Sequence, residues 1–378
     1  MKKLLFINPQ SYNNLAIYDT SLLRYMEGYE IHYYCNRKYQ CRPLDHVTYH
    51  KIFDYSDKKG ARKGLSYVAS ILGIVCAAAR LRPDVVHIQW FRLFEIDAVL
   101  VWWLKVLHIP VVHTAHNVLP HIQKKGDKKH YAWFYGHVDK IIVHTRSSKA
   151  ELLSVFPQIP SDRVEVVAHG LIEPMFAPQD IAVRAAELAS GLQCAGKTVF
   201  ACMGYQNYYK GIDLVTEAWL SHPELRDNPE VMLLIVGKSE QADLHALAQC
   251  RNVYIDDRMV PDIDFEAYLK SVSVMLLPYR RISQSGVLMT AVQRGIPVVV
   301  SDVGGLTEPL QVGDVGWNIG APTTDNLSRI LVQLAKDPGA VSAKREAVGE
   351  FDKVRGHYSW LKIAARTASL YQGLQTAE

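Results

Sequence analysis

A lysine and two glycines directly follow an apolar segment near the middle of this 378-residue chain. Gly204 comes after the predicted strand 198–203, and Lys210-Gly211 ends the loop before an apolar helix. Glycine permits a tight turn, and the lysine ammonium can neutralise a phosphate. At a separation of ~4 Å and an effective dielectric near 20, that contact is worth on the order of 4 kcal/mol before desolvation. The loop is a candidate phosphate site, although a surface lysine at a helix start has the same pattern.

A second candidate anion site lies where another predicted strand ends in a polar loop. Arg280 and Arg281 follow that strand, and Ser283 or Ser285 can cap a helix that begins near Gly286. The free N–H groups and the positive dipole end of such a helix attract anions, and glycine lets a ligand approach the backbone. An ordinary capped helix is the alternative interpretation.

Three histidines occur within nine positions where a short apolar strand ends in the first half: His113, His116 and His121. Polar side chains at the end of a buried strand are costly unless they are partnered or face a cleft. We expect His113 to pack within the sheet and His116, which lies past it, to belong to a site. For His169, at the end of the last strand of this half, we favour a structural role.

Short segments rich in valine and isoleucine alternate with longer helical segments, which is typical of parallel βαβ units. We predict strands at 4–7, 31–34, 84–87, 111–114, 141–144 and 164–167, and at 198–203, 231–236, 253–255, 274–277, 297–301 and 316–319. The fold class is therefore α/β, with two Rossmann-like domains. Ligands of such sheets bind at the carboxyl ends of the strands, so we expect the site in a cleft between two facing sheets.

Two prolines, Pro174 and Pro178, mark the predicted boundary between the halves. The predicted domains cover 1–172 and 173–355. Residues 356–378 carry apolar side chains at helical spacing and are predicted to form an amphipathic helix that packs back toward the first domain. The apolar segments 65–79 and 99–112 are interpreted as buried helices rather than membrane spans.

Composition excludes several classes of protein. Apolar residues make up 49% of the chain and charged residues 21%, as in folded globular proteins. The six cysteines lack metal-ligand spacing, which predicts a reducing compartment and no structural zinc. No GxGxxG pattern follows a strand, which argues against a Rossmann dehydrogenase, and no basic stripe with interleaved aromatic residues favours nucleic-acid binding.

The charge is unevenly distributed along the chain. Residues 1–172 contain 23 Lys and Arg against 14 Asp and Glu, whereas the remainder contains 19 against 24. Such a basic half is suited to an anionic partner, and each basic residue near an anionic leaflet contributes about 1 kcal/mol. The basic pairs are Lys58-Lys59, Arg62-Lys63, Lys124-Lys125 and Lys128-Lys129. Docking on an anionic membrane surface and ordinary solvated lysines explain these pairs equally well.

Taken together, these motifs resemble the retaining, GT-B-fold glycosyltransferases of glycosyltransferase family four. The family pairs a G…KG(I/V)D loop with an LPY…QSG…A…G.PV segment ending in SDVGG..E, and this chain matches them at 204–213 and 277–308. Thr114-Ala-His116-Asn117 and Ala168-His169-Gly170 also look like family landmarks. The similarity covers nearly the whole chain and is weakest in the first ~80 residues.

The resemblance implies specific roles in an acceptor-side N-terminal domain and a nucleotide-sugar-binding C-terminal domain. The implied catalytic residues are His116, Lys210 and Arg281. The implied donor-binding residues are Gly204, Tyr205, Lys210, Val260, Gln284, Ser285, Gly286, Val287 and Thr290. Neither a cofactor nor a metal is required by this scheme, and Asp262-Ile-Asp264 is interpreted as turn and helix-cap residues.

Three departures from the family pattern stand out. Many members have an arginine where Tyr205 stands, so Arg280 or Arg281 is expected to supply that charge. Many members also have a ribose-binding glutamate where Thr290 stands, and a hydroxyl binds a ribose more weakly than a carboxylate. A polar loop at 9–14 replaces the usual glycine-rich first loop.

The implied activity is the transfer of a sugar, with retention, from a UDP- or GDP-sugar to a glycan or a polyprenyl-diphosphate-linked acceptor in bacterial polysaccharide or glycoconjugate synthesis. The expected location is the cytoplasm, including the inner face of the cytoplasmic membrane. Two alternatives stay open: a sugar-nucleotide-binding protein with weakened catalysis, and a sugar-nucleotide epimerase or phosphorylase on the same two-domain fold.

Overall fold

The computed structural model describes residues 1–12, 14–120, 124–240 and 244–375. The chain divides into two compact units. The N-terminal domain consists of Met1–Gly170 and the segment from Tyr358 onward, and the C-terminal domain is Leu171–His357. The boundaries expected from the sequence, after residues 172 and 355, differ from these by two residues each.

The N-terminal domain contains a seven-stranded parallel sheet with the strand order β3-β2-β1-β4-β5-β6-β7. Its strands are β1 Lys2–Asn8, β2 Tyr29–Asn36, β3 Val47–Phe53, β4 Val85–Ile88, β5 Val111–Thr114, β6 Lys140–Val143 and β7 Val164–Val166. Its helices are α1 Asn14–Arg24, α2 Gly60–Leu81, α3 Phe94–Val106, α4 Asp127–His137, α5 Arg146–Val155 and, at the end of the chain, α15 Trp360–Gln375.

The C-terminal domain contains a six-stranded parallel sheet with the order β10-β9-β8-β11-β12-β13. Its strands are β8 Thr198–Met203, β9 Val231–Val236, β10 Val253–Asp256, β11 Val274–Leu277, β12 Val298–Val300 and β13 Gly316–Asn318. Its helices are α6 Pro178–Leu192, α7 Ile212–Ser221, α8 Pro223–Arg226, α9 Asp262–Leu269, α10 Gly286–Gln293, α11 Glu308–Val312, α12 Thr324–Lys336, α13 Pro338–Glu346 and α14 Val348–His357.

All twelve predicted strands are present, with ends that differ by at most two residues. The sequence prediction missed β3, and the reason is its position at the edge of the sheet. Its central residues are exposed or half-buried, and they include His50 and Lys51. An edge strand of this kind lacks the continuous apolar run that identifies strands covered on both faces.

The apolar strands are covered on both faces. In β1, Leu5 and Ile7 belong to one core cluster of the N-terminal domain, whereas Leu4 and Phe6 belong to the other. This division follows from the alternation of side chains along a strand. In the C-terminal domain β9 is buried along its whole length.

Helix α15 belongs to the core of the N-terminal domain, where it packs beside α1. Trp360, Ile363 and Tyr371 are buried there, and the hydroxyl of Tyr371 is hydrogen-bonded to Nδ1 of His87 in β4. Trp360 lies so close to Gly170 that a β-carbon on this glycine would be 2.2 Å from the indole. The end of the chain therefore completes the first domain.

The expectation that 65–79 and 99–112 form buried helices is wrong for their outer faces, and for 107–112 it is wrong altogether, because α3 ends at Val106 and β5 begins at Val111. Leu65 is 69% exposed and Trp102 is 53% exposed. Within the described residues, Gly60–Leu81 is the one helix whose length and apolar composition would suffice to cross a bilayer. Only 28% of its most apolar 18-residue segment is buried in the protein. Helices α2 and α3 thus cover the sheet with one face and present an apolar face to solvent.

Candidate functional site

The first group of candidate residues lies where the strand order of the C-terminal sheet reverses. Strands β8 and β11 are neighbours in the sheet, yet the connections from them lead toward opposite edges. At such a switch point the loops after the two strands diverge and leave a crevice at their carboxyl ends. Gly204 follows β8 and Pro278 follows β11, so both phosphate-site candidates come from this point of the sheet.

Three glycines allow these loops to approach one another closely. Gly204, Gly211 and Gly237 all have positive φ angles, of 86°, 75° and 121°. A β-carbon on Gly211 would lie 2.2 Å from the carbonyl oxygen of Pro278, and one on Gly237 would lie 2.2 Å from that of Gly204. No other residue type satisfies both the backbone angle and the spacing at Gly211 and Gly237.

Lys210 and the first turn of α10 converge on Gly204. A β-carbon built on Gly204 would lie 3.2 Å from Nζ of Lys210 and 3.7 Å from Cγ2 of Val287. The lysine ammonium also lies 5.7 Å from the ring centre of Tyr279. Because Gly204 has no side chain, the space between Nζ of Lys210 and Val287 stays open.

The ammonium of Lys210 has no carboxylate within ion-pair distance among the residues that the structure describes. Burial lowers its pKa to about 8, with the nearby Cys202 thiol acting weakly in the opposite direction. Removing a charge from water without a partner is unfavourable, and an anion beside Nζ would offset that cost. Lys210 is thus prepared to bind an anionic ligand.

Helix α10 presents its N-terminus at the same place. Ser285 caps the helix, because its side chain accepts a hydrogen bond from the backbone N–H of Leu288. Of the two predicted caps, Ser285 is confirmed, and Ser283 lies outside the cap position. The backbone N–H groups of Gly286 and Val287 have no acceptor in the described part of the chain, and they coincide with the positive end of the helix dipole.

The other implied donor-binding residues lie around these loops. Tyr205 is exposed at the start of the loop after β8, and Val260 is half-buried in the loop before α9. Oε1 of Gln284 is buried without a hydrogen-bond partner among the described residues. Thr290 is buried, and its hydroxyl donates to the carbonyl of Gly286, so only its oxygen lone pairs are free.

The two arginines after β11 have different environments. Arg280 donates two hydrogen bonds of 2.6 Å to Asp213, and its guanidinium lies 4.0 Å from the ring centre of Tyr208. Its backbone N–H donates to the carbonyl of Tyr209. Arg280 therefore fixes the lysine loop to α7, whereas Arg281 is exposed and has no ion pair within the described residues.

The two aspartates at the start of α9 are not caps. Pro261 occupies the N-cap position. Asp264 is buried and accepts hydrogen bonds from Arg184 and Arg258, which lower the pKa of its carboxyl group. The interpretation of these residues as caps is wrong for this reason, and Asp264 instead joins α6 to α9. The described residues contain no group of His, Cys, Asp and Glu side chains arranged to hold a metal ion.

In the N-terminal domain, His116 is held between aromatic rings. Its imidazole stacks on Trp90 with 5.1 Å between ring centres and 5° between planes, and it meets the ring of Tyr18 edge-on. Its Nδ1 lies 3.1 Å from Nε2 of His144, and its Nε2 lies 2.8 Å from Oε1 of Gln89. The ring orientation is therefore fixed from three sides.

The hydrogen bonds determine which nitrogen of His116 carries its proton. His144 Nδ1 donates to the carbonyl of Val167, so its Nε2 must accept from Nδ1 of His116. Burial lowers the pKa of His116 well below its ordinary value, and the neighbouring His144 acts in the same direction. Oε1 of Gln89 faces Nε2 of His116, and its NH₂ group faces Thr114. A neutral His116 ring with its proton on Nδ1 therefore requires the opposite amide orientation of Gln89, in which the NH₂ group donates to Nε2.

The histidine predictions have different outcomes. His113 lies buried in β5 and donates from Nδ1 to the carbonyl of Ile88, which confirms the expectation that it packs within the sheet. His169 packs against Tyr18 and His144. His121 lies outside the described residues.

Sequence reasoning missed Tyr18, Trp90 and His144, all of which contact His116. A signal for His144 was present, because it directly follows β6, the strand next to β5. Residues that end neighbouring parallel strands meet at one edge of a sheet. Tyr18 lies on a helix and gave no comparable signal.

Two family models match this chain. The model described as Glycosyltransferase Family 4 matches residues 22–172, and the one described as Glycosyl transferases group 1 matches residues 197–337. A D-inositol 3-phosphate glycosyltransferase of Kribbella flavida is 29% identical over 293 residues, which are 70% of this chain and 66% of that protein. The chain thus spans about two thirds of that relative's length.

Solved structures share the fold at low sequence identity. A sucrose-phosphate synthase from Thermosynechococcus elongatus superposes with a TM-score of 0.73 at 16% identity, over 100% of both chains. Anabaena Alr3699/HepE in complex with UDP-glucose superposes with a TM-score of 0.71 at 14% identity, over 99% of this chain and 100% of that one. The fold of this chain is therefore the two-domain α/β fold called GT-B.

Proposed function

The chain belongs to glycosyltransferase family four and is a glycosyltransferase, and from that premise we propose that it transfers a sugar, with retention of configuration, from a nucleotide-diphosphate sugar. The proposed donor is a UDP- or GDP-sugar. A neighbour in fold binds UDP-glucose, which supports the choice of a nucleotide sugar. The proposed acceptor is a glycan or a polyprenyl-diphosphate-linked sugar.

One observation carries the proposal: the ammonium of the half-buried Lys210, with no carboxylate partner in the described chain, borders the same space at Gly204 as the first turn of α10. A diphosphate fits this pair of groups because one of its phosphates can meet the ammonium and the other the free N–H groups of Gly286 and Val287. Gly204 allows the ligand to reach the backbone.

The proposed catalysis relies on stabilising the departing diphosphate. As the bond between the sugar and the diphosphate breaks, negative charge develops on the leaving oxygen and positive charge on the sugar ring. Fixed positive groups already in position lower the energy of that state without reorganisation. Lys210 and the α10 N-terminus supply this charge, and Arg281 is assigned as the third positive group. Since these groups supply the charge, the scheme includes no metal ion.

His116 is assigned to the acceptor side of the reaction. Its ring is fixed by Trp90, His144 and Gln89, as expected for a group that must hold one orientation. At neutral pH the ring is neutral, and its Nε2 faces the side-chain amide of Gln89. We place the protein in the cytoplasm, where nucleotide sugars are the expected donors.

The proposal is tested by measuring donor binding and donor breakdown with purified protein. A panel of UDP- and GDP-sugars is screened for an increase in melting temperature, and the best one is used in calorimetry. Replacing Lys210 by Ala should weaken binding roughly 10- to 150-fold, which corresponds to about 1.5–3 kcal/mol for a hydrogen bond to a charged group. The matched control is Lys270→Ala, which removes an exposed lysine of the same domain.

The products separate the remaining alternatives. Transfer of the sugar to an acceptor in membrane extract, with release of nucleoside diphosphate and the anomeric configuration of the donor in the product, supports a retaining transferase, whereas hydrolysis without transfer points to an epimerase or a phosphorylase. Conversion of one nucleotide sugar into another identifies an epimerase. Donor binding with no turnover in the presence of membrane extract identifies a binding protein, and unchanged binding by Lys210→Ala refutes the proposed site.

A further inference from the structure

Helices α2 and α3 expose apolar side chains that the sugar-transfer chemistry does not use. The two helices pack against each other on one side of the N-terminal sheet. The large exposed apolar residues on them are Leu65, Leu72, Val99, Trp102, Trp103 and Val106. We call these six side chains the helical face.

The exposed residues of α2 follow the helical period. Leu65, Ala69, Leu72 and Cys76 recur at intervals of three and four residues and form one continuous apolar stripe. The buried residues of the same helix, such as Ile71 and Ile74, lie on the side that packs on the sheet. The stripe therefore points away from the domain core.

Helix α3 adds a second stripe beside the first. Val99, Trp102, Trp103 and Val106 are exposed, while Leu100, Val101 and Leu104 are buried against the core. Since α2 and α3 lie side by side on the same face of the sheet, both stripes point outward together. A contiguous apolar surface of this kind marks an interaction site, whereas single exposed apolar residues do not.

Basic side chains lie at the margins of the helical face. Lys59, Arg62 and Lys63 stand at the start of α2, and Lys124, Lys125, Lys128 and Lys129 surround the start of α4, which packs against α3. These seven side chains form no ion pair within the described residues. Acidic residues are fewer here: Asp57 is paired with Lys38, Asp127 accepts from the backbone N–H of Lys124, and Glu95 is exposed.

We propose that the helical face docks on an anionic lipid leaflet, with its apolar side chains in the interface and the basic margin on lipid headgroups. Tryptophan is favoured at the headgroup level, and lysine and arginine are attracted by anionic lipids. A second copy of this chain fits less well, because a symmetric contact would bring two basic margins together. The inference rests on the proposed function only in that a membrane-linked acceptor gives the docking a purpose.

The test is flotation of the full-length protein with vesicles of phosphatidylcholine, with and without phosphatidylglycerol. The wild-type protein should float with the anionic vesicles, and added salt should reduce the bound fraction. Trp102→Gln combined with Leu72→Gln should lower the bound fraction at least about tenfold, since each substitution removes apolar area that would be buried in the lipid interface. Lys128→Glu with Lys129→Glu should reduce binding to anionic vesicles alone.

The matched control is Leu361→Gln, which changes an exposed leucine of α15 in the same domain, and it should float like the wild type. Each variant is also assayed for donor breakdown in solution. This activity should be unchanged, which shows that the protein is folded.

If the wild type stays unbound, or if the double glutamine variant floats as well as the wild type, the proposed docking surface is wrong. If sedimentation instead shows a dimer that the glutamine variant lacks, the face is a contact between copies and the lipid proposal is overturned. If the wild-type protein floats with anionic vesicles but breaks down no nucleotide sugar, the proposed function is refuted and this inference still stands.

Discussion

Nδ1 of His116 lies 3.1 Å from Nε2 of His144, and this contact fixes the proton of His116 on Nδ1. The relationship depends on a second hydrogen bond, in which His144 donates from Nδ1 to the carbonyl of Val167. A residue at the end of β6 thereby determines the tautomer and orientation of a residue in the loop after β5. In the proposed reaction, His144 acts as a positioning residue for His116.

Replacing His144 by Phe should lower kcat while leaving the KM for the nucleotide sugar unchanged. The loss of one orienting hydrogen bond, worth about 1 kcal/mol, corresponds to roughly a fivefold decrease, and reorientation of the ring would add to it. His144→Gln keeps an acceptor oxygen and should recover part of the rate. Steady-state kinetics of the three proteins checks this, and equal losses in the Phe and Gln variants would show that His144 acts only through packing.

Donor affinity should depend on pH through Lys210. Burial lowers the pKa of this lysine to about 8, so the ammonium that we propose as the phosphate-binding group is progressively lost above that pH in the free protein. The dissociation constant should therefore be nearly constant below pH ~7 and rise up to about tenfold per pH unit above pH ~8. Calorimetry with a nucleotide sugar, whose diphosphate does not titrate in this range, measures the effect.

An arginine at position 210 provides the comparison. Arginine stays protonated throughout this range, so Lys210→Arg should bind the donor more weakly than the wild type but with little dependence on pH. If the wild-type and Lys210→Arg proteins show the same rise in dissociation constant with pH, another group is responsible and the role assigned to Lys210 is wrong.

The two arginines after β11 should respond differently to substitution. Arg280→Ala breaks the ion pair with Asp213 and frees the loop that carries Lys210, so it should weaken donor binding and lower the melting temperature. We expect Arg281→Ala to leave stability unchanged, because its side chain is exposed, and to reduce kcat about tenfold or more if it stabilises the leaving diphosphate. Melting curves and kinetics of the two variants check this. Wild-type kinetics in Arg281→Ala would mean that Arg281 does not replace the charge missing at Tyr205.

The two sheets, and the loops that carry Lys210 and Gly286, could be predicted from the sequence. Buried parallel strands are continuous apolar segments, and glycines mark the loops that follow them. The sequence was insufficient where the local pattern is ambiguous. The edge strand β3 is half-exposed, and the apolar composition of α2 and α3 was interpreted as burial, although an apolar helix can also expose one side.

Contacts between distant segments were the other limit. Asp264 precedes an apolar helix and resembles a cap, but its partner Arg184 lies 80 residues earlier in the chain. Tyr18 and Trp90 are placed beside His116 by the packing of α1 and of the loop after β4. No spacing rule within one segment reports such neighbours, so these residues required the structure.

The buried histidines should make the N-terminal domain sensitive to acid. His87 and His113 are buried and neutral, and desolvation lowers their pKa values to about 3 and about 4. Desolvation lowers the pKa of His116 and His144 as well. Below pH ~6.5 the unfolded chain binds protons at these positions and the folded chain does not, so the free energy of unfolding must fall as the pH decreases.

Two buried carboxyl groups oppose this trend. Burial raises the pKa of Asp19 to about 7 and that of Asp97 to about 6, so the folded domain holds their protons more tightly than the unfolded chain does. Their contribution to stability is complete at low pH and is lost as the pH rises to about 6 or 7. Desolvation lowers the pKa of His50 and His169 as well, so six histidines against these two carboxyl groups leave a net loss of stability on acidification.

His113→Leu should make the stability of this domain less dependent on pH. Removing one histidine should reduce the slope by about 1.4 kcal/mol per pH unit between pH ~4 and ~6.5. The lost hydrogen bond to the carbonyl of Ile88 lowers stability at every pH and so leaves the slope unaffected. Urea titrations followed by tryptophan fluorescence report on this domain, which contains five of the seven tryptophans: Trp90, Trp102, Trp103, Trp133 and Trp360. The exposed His137→Gln serves as the control and should retain the wild-type slope, whereas parallel pH curves for His113→Leu and the wild type would show that His113 is not neutral in the folded domain.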